Sequence, residues 1–285
     1  AQYVENMPRL PTVIDFVDVD SAKWTQYAPK HRWPMSWLYR REGEFLLAYE
    51  RRIASRAARS FFVTESEAAL FTRQAPECSV RVEAMCNGVD SDYFSPHPER
   101  FSPYLVDEVP VVFTGAMDYW PNVDAVTWFA KEVLPELLVK YPKTRFYIVG
   151  RSPTPEVTEL ANEHVIVTGT VPDVRPYIQH ATIVVAPLRI ARGIQNKILE
   201  AMAMERTVIA SADCAAAVDA VLGQELLTAN TPDDYLQAIK TCLENPGKSA
   251  TIGRAARQRV TERYSWKAHM SGIDRYISSS PAEHK

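Results

Sequence analysis

No apolar run in this chain reaches the eighteen or so residues that crossing a bilayer requires, and Ala1 to Met7 lacks the basic-then-apolar pattern of a secretory signal. A soluble, cytoplasmic protein is therefore expected. Cys78, Cys86, Cys214 and Cys242 form no C-x-x-C pair and have no histidine cluster beside them, so neither a zinc site nor a disulfide framework is expected. A basic surplus is missing too: the net charge is -3 and the pI near 6.1, which argues against a dedicated nucleic-acid binder. There is no internal repeat and no low-complexity tract. What remains is an ordinary globular composition, 46% hydrophobic over 285 residues, enough for one large or two modest domains.

The first stretch opens with Thr12 to Val19, which reads as a strand ending in acidic residues. From Ser36 to Arg59, Leu38, Phe45, Leu46, Tyr49, Ile53 and Ala57 recur at three- and four-residue spacing, the pattern of one long amphipathic helix. Arg59 to Thr64 reads as a buried strand, Glu65 to Thr72 as a helix and Arg81 to Met85 as a third strand, closed by Asn87-Gly88. No glycine-rich turn precedes the first strand, although a Rossmann-like domain ordinarily opens with one. The sequence is therefore expected to enter an α/β domain partway through.

Four prolines and no apolar period mark Ser95 to Pro110 as a linker. A fresh domain follows: a strand at Pro110 to Thr114, a turn from Gly115 to Asn122, and a helix from Val123 to Tyr141. Strands at Arg145 to Val149, Val165 to Thr168, Thr182 to Ala186 and Thr207 to Ala210 then alternate with helical stretches. That rhythm predicts a parallel sheet with helices on both faces. Helices at Thr231 to Glu244, Gly247 to Tyr264 and Trp266 to Ile277 complete the chain before a polar tail.

In such a sheet the ligand lies at the carboxyl ends of the strands. Gly115, at the first strand-to-helix turn, permits an anion to approach backbone at a helix amino end; the competing reading is plain turn chemistry. Arg151, after Val149-Gly150, either faces phosphates or is solvated. Thr168 to Val171 brings small residues, Thr170 and Val171 among them, to the next strand end. The densest signal is Arg192-Gly193-Ile194-Gln195-Asn196-Lys197-Ile198-Leu199-Glu200, where a helix from Gln195 puts Lys197 and Glu200 on one face with Gly193 and Asn196 at its amino end. A lysine there opposes the helix dipole unless a diphosphate neutralises it, and a carboxylate among packed apolar neighbours needs donors such as a ribose diol. An ordinary surface Lys–Glu pair is the other reading, and from spacing the two stand level. Between Lys23 and Arg59, nine Lys/Arg meet three Glu, interleaved with Trp24, Trp33 and Trp37. This stretch reads either as a solvated face over core aromatics or as a surface for an anionic membrane.

Taken together, Asn87-Gly88-Val89-Asp90 with Phe94-Ser95-Pro96, Phe113-Thr114-Gly115, Ile148-Val149-Gly150 and Lys197-Ile198-Leu199-Glu200-Ala201-Met202-Ala203 resemble, in this order, the family 4 retaining glycosyltransferases. Asp15-Phe16-Val17-Asp18-Val19-Asp20-Ser21 followed by Lys23-Trp24 is similar to the sugar transferases of bacterial exopolysaccharide and PEP-CTERM sorting systems. The resemblance covers nearly the whole chain, entered without the amino-terminal third of such a protein. It implies an α/β GT-B fold of two Rossmann-like, doubly wound parallel-sheet domains, the first incomplete. Residues 1–103 would form the acceptor domain, 104–264 the nucleotide-sugar domain, and 265–285 a helix returning to the first domain plus the tail.

The match implies Glu200 on the ribose, Lys197 on the diphosphate, Gly115 at the diphosphate turn, and Thr168 to Val171 near the base. Gly193 and Asn196 would line the same helix end. The first member of the family's Glu-x7-Glu pair falls on Arg192, which is expected to meet phosphate instead. Where many relatives carry a histidine, Asp18 or Asp20 stands, and Asp18 is the expected acid or acceptor-orienting group. With Lys197, Arg192 and Arg151 meeting the leaving diphosphate, neither metal nor cofactor is expected; the nucleotide sugar is the substrate. The implied partners are that donor, a glycan or lipid-linked acceptor, and the cytoplasmic face of the inner membrane, with no nucleic acid. A nucleotide-sugar epimerase on the same plan, and a binding piece without turnover, are the alternatives.

Overall fold

The computed structural model describes residues 12–85, 88–191 and 193–268. The chain divides into two compact units, the second running from Gly88 to Ala268.

In the first unit, β1 (Val13–Val17) ends where Val17 takes a φ of 66°, and α1 (Asp20–Tyr27) and the 22-residue α2 (Met35–Arg56) follow. Then come β2 (Arg59–Phe62), α3 (Glu65–Gln74) and β3 (Val82–Ala84), giving a parallel sheet ordered β1-β2-β3. Its core is aromatic: Phe62 lies 5.2 Å from Phe16 and 4.7 Å from Phe71, centroid to centroid. Sequence periodicity finds α2 but not α1, because α1 buries only Ser21 and Ala22. What joins the two helices is polar. Ser21 donates from its N–H (3.1 Å) and hydroxyl (2.6 Å) to the buried carboxylate of Glu50, whose pKa burial raises and those bonds lower. At the same junction a Cβ on Gly43 would lie 2.7 Å from the Thr25 hydroxyl, so the helices need a glycine to come this close.

The second unit is built on β4 (Val109–Thr114), β5 (Thr144–Val149), β6 (Val165–Gly169), β7 (Ile183–Ala186), β8 (Val208–Ala210) and β9 (Leu227–Thr228). All pairings are parallel, in the order β6-β5-β4-β7-β8-β9. Every residue of β7 and β8 and all but the first of β4 are buried, as expected for strands covered on both faces.

The helix expected over 123–141 begins earlier and is interrupted. It comprises α4 (Trp120–Trp128), a π-turn at Phe129–Val133 and α5 (Leu134–Lys140). Pro135 has no N–H to give and its ring crowds the preceding turn; a widened turn absorbs both. The short α6 (Pro155–Thr158), α7 (Arg175–His180), α8 (Asn196–Ala203) and α9 (Ala212–Ala216) follow, then α10 (Pro232–Glu244) and α11 (Pro246–Arg263). Thr231 and Asp234 close a reciprocal capping box on α10.

The Pro-rich stretch 88–103, expected to belong with the first domain and a linker, packs on the second unit. His97 and Gln179 exchange two hydrogen bonds of 2.9 and 2.8 Å, and Arg257 donates to the Phe94 carbonyl at 3.1 Å. Proline content reads as linker because it breaks periodicity, but these backbone groups are held by long polar side chains that periodicity does not register. The expected helix over 266–277 lies, beyond Ala268, outside the described residues. Among the described residues no helix is long and apolar enough to cross a membrane.

Candidate nucleotide-binding site

The chain leaves β4 toward β5 and β6 on one side, and later returns to place β7, β8 and β9 on the other. The order therefore reverses between β4 and β7, and the crevice outside their carboxyl ends is where an open parallel sheet binds ligands. Two turns converge there: the one after β4, starting at Gly115, and the segment after β7 that leads into α8.

The Gly115 turn is locked to the end of β5. Gly115 N–H donates to the Val149 carbonyl at 3.0 Å and Met117 N–H to the Arg151 carbonyl at 2.8 Å. A Cβ on Gly150 would lie 1.7 Å from the Gly115 oxygen, so only glycine fits. Gly115 has its own reason for lacking a side chain, since a Cβ there would fall 2.8 Å from Asn122 Nδ2 and 3.1 Å from Lys197 Nζ. Its φ of 156° also suits glycine.

Lys197 sits in the first turn of α8, which no side chain caps. Its ammonium donates to Asn122 Oδ1 at 2.5 Å and lies 4.1 Å from the centroid of the Phe113 ring. The residue keeps partial solvent contact while its ammonium is packed within protein. Desolvation pushes its pKa down to about 7, against opposing pulls from Cys214 and Glu200. Glu200, one helical turn on, is half-buried, and burial raises its pKa against the pull of Lys197. No described group donates a hydrogen bond to its carboxylate. A cation at the positive end of a helix and an unpartnered carboxylate beside it are costly alone. Together they form a donor–acceptor set suited to an anionic ligand that also carries hydroxyls.

Gly193 adopts a φ of 61° just before α8, and Asn196 is the first residue of that helix. Arg151 is exposed, and its guanidinium makes no hydrogen bond or ion pair with a described residue. Thr170 and Val171 follow Gly169 at the carboxyl end of β6, two strands from β4 on the same edge of the sheet. Arg192 lies outside the described residues. Asp18 belongs to the first unit, where it forms a 2.9 Å ion pair with Lys23; that lysine also holds Asp20, and the two carboxylates keep its pKa above the usual range in spite of its partial burial. Among the described residues no group of three or more His, Cys, Asp or Glu side chains could hold a metal ion.

Two features escape sequence reasoning. Asn122 reads as a helix start, yet it is 5% exposed and bridges α4 to α8, its Nδ2 donating to the Ala116 carbonyl at 2.8 Å. Arg189, after β7, pairs with Asp124 of α4 (Nε to Oδ2, 3.0 Å), fixing the start of the segment that delivers α8. The Trp120-Pro121-Asn122 sequence carries the available signal for the first; nothing in the spacing signals the second.

The architecture is thus α/β with parallel sheets, the fold of GT-B glycosyltransferases. The HepE protein of Anabaena in complex with UDP superposes with a TM-score of 0.69 at 18% identity, over 95% of this chain and 72% of that one. Sucrose-phosphate synthase from Thermosynechococcus elongatus gives 0.69 at 18%, over 94% and 68%. A glycosyltransferase from Rickettsia africae gives 0.65 at 14%, over 92% and 82%. No curated protein matches the chain. Residues 108–245, all within the second unit, match the family model described as Glycosyl transferases group 1.

Proposed function

We propose that this protein transfers a hexose, with retention, from a nucleotide diphosphate to a glycan or lipid-linked acceptor in exopolysaccharide or cell-surface polysaccharide synthesis. One observation carries the reading: Lys197 directs its ammonium at the Gly115 turn, in the switch-point crevice, with Glu200, which accepts no hydrogen bond from a described residue, on the same helix. The ammonium and the turn would take the diphosphate, Glu200 the ribose hydroxyls, and Thr170 and Val171 the neighbourhood of the base. Arg151, and Arg192 by its place in the sequence, would meet charge as the diphosphate departs. Uridine donors are the first to test, because the HepE structures contain UDP and UDP-glucose.

A thermal-shift panel of UDP-, GDP- and ADP-sugars tests binding. A true donor at about a hundred times its Kd stabilises by about 2.7 kcal/mol. Glu200→Ala is expected to weaken binding of that nucleotide diphosphate about 10- to 100-fold in calorimetry, the worth of hydrogen bonds to a charged acceptor. Unchanged affinity removes the ribose role. Incubation of donor with an acceptor then separates the activities: a glycoside of the donor's anomeric configuration supports retaining transfer, whereas an isomerised donor without acceptor product supports the epimerase. Binding with neither product supports a nucleotide-sugar-binding piece.

Membrane contact draws support from the first unit. Around the start of α2, Trp33 is 81%, Trp37 56% and Phe45 62% exposed, and the Arg41 guanidinium lies 5.7 Å from the Trp37 ring centroid and 5.0 Å from that of Phe45. Exposed aromatics interleaved with arginine suit an anionic lipid interface. Trp33→Ser with Trp37→Ser is expected to cut sedimentation with anionic phospholipid vesicles about tenfold. Equal sedimentation of parent and variant returns these rings to another role.

A further inference from the structure

We propose that Asn122 is the positioning residue that holds the Lys197 ammonium over the Gly115 turn, ready for a nucleoside diphosphate. The inference rests on the nucleotide reading of this site and adds a residue to it.

The geometry divides Asn122 into two halves. Nδ2 donates to the Ala116 carbonyl, which fixes the amide plane and leaves Oδ1 as the acceptor aimed at Lys197. Lysine has a long flexible stem, so an ammonium held at one point needs a fixed partner. The other groups near it hold it less specifically. The Phe113 ring from β4 attracts a cation without fixing its direction, and Glu200 on α8 and Cys214 on α9 act through space. Among the described residues Asn122 alone accepts a hydrogen bond from this ammonium, and it does so from α4, the helix that starts at the Gly115 turn. Being neutral, the amide orients the ammonium without cancelling its charge. A carboxylate at this position would pair with the lysine and then repel the diphosphate. The Gly115 turn completes the arrangement, since a Cβ there would crowd both the amide and the ammonium.

Titration of the Lys197 side chain by carbon NMR in the free protein, assigned by loss of the signal in Lys197→Met, reports the ammonium without any nucleotide. Asn122→Ala removes the acceptor and is expected to lower the titration midpoint. Asn122→Asp keeps the shape, adds a charge and is expected to raise it. Calorimetry with UDP should then show affinity reduced about tenfold in Asn122→Ala at about pH 7.5. In Asn122→Asp, affinity should be reduced at every pH and less pH-dependent than in the parent. A melting temperature for each variant separates folding from positioning, and the near-isosteric Asp variant decides where the Ala variant does not fold. Unmoved midpoints in the folded variants overturn the inference. A parent that titrates as described, responds to both substitutions and binds no nucleotide diphosphate overturns the nucleotide reading instead.

Discussion

Lys197→Met is expected to weaken UDP binding about a hundredfold at about pH 6.5 while leaving the melting temperature equal to the parent's or above it. The two halves of this result have one origin. Burial drives the Lys197 pKa down to about 7, so the folded protein carries a cation it would rather discharge. The folded-state pKa lies below the unfolded one, so the charged lysine subtracts from stability throughout the range below the unfolded value, and methionine lifts that cost. Binding has the opposite sign. A diphosphate restores favourable surroundings for the ammonium, and truncating one member of a desolvated charge pair costs about 2–5 kcal/mol, or about two orders of magnitude near the low end. The pH dependence follows. Below the folded-state value of about 7 the lysine already holds its proton. Above it, binding must take one up, so the parent's Kd is expected to rise up to about tenfold per pH unit between about 7 and 9. The methionine variant should lack that rise. Parallel curves for parent and variant would remove Lys197 from the site.

Gly150→Ala is expected to damage the fold more than any change to the Lys197 helix. The Cβ would lie 1.7 Å from the Gly115 carbonyl oxygen and 2.7 Å from its carbon, and both atoms are backbone. No rotamer relieves such a clash, so the ends of β4 and β5 must part and the bonds from Gly115 to Val149 and from Met117 to Arg151 stretch or break. Overpacking of this kind costs about 3 kcal/mol or more, which for a unit of this size lowers the melting temperature by about 6–12 °C. UDP affinity should fall with it, because the displaced turn is the one that would face the diphosphate. A variant that melts and binds like the parent would show that the two turns are not in contact in solution. Circular dichroism melts and calorimetry on the same preparation read both.

How much of this is legible in the sequence depends on what each residue's neighbours are. The βαβ alternation of the second unit is plain, because strands covered on both faces are continuous apolar runs such as Ile183 to Ala186 and Val208 to Ala210. Lys197 and Glu200 stand out because they interrupt such a run on a helix, where an uncompensated charge demands a partner. Which face of the helix they occupy, and that the lysine reaches the Gly115 turn, depends on the strand order, and spacing does not contain that. Asn122 is visible only as a helix start: its partner is 75 residues away in sequence. In the first unit, α1 escapes a reading by periodicity because its contact with α2 runs through Ser21, Thr25 and Glu50, polar residues in a sequence pattern, although Ser21 and Glu50 are buried in the fold. The break at Phe129–Val133 is hidden in the same way, because an apolar period continues across it while Pro135 sets the backbone.

The order β6-β5-β4-β7-β8-β9 also governs assembly. The first strand of this unit to leave the ribosome becomes the middle of the sheet, and β5 and β6 can complete one flank by successive crossovers while the other edge of β4 stays open. That buried, apolar edge is an aggregation hazard until Ile183 to Ala186 emerges to close it. The crevice proposed for the nucleotide lies on the seam between the two flanks, so a nascent chain cannot complete it until after the most exposed stage of its synthesis has passed.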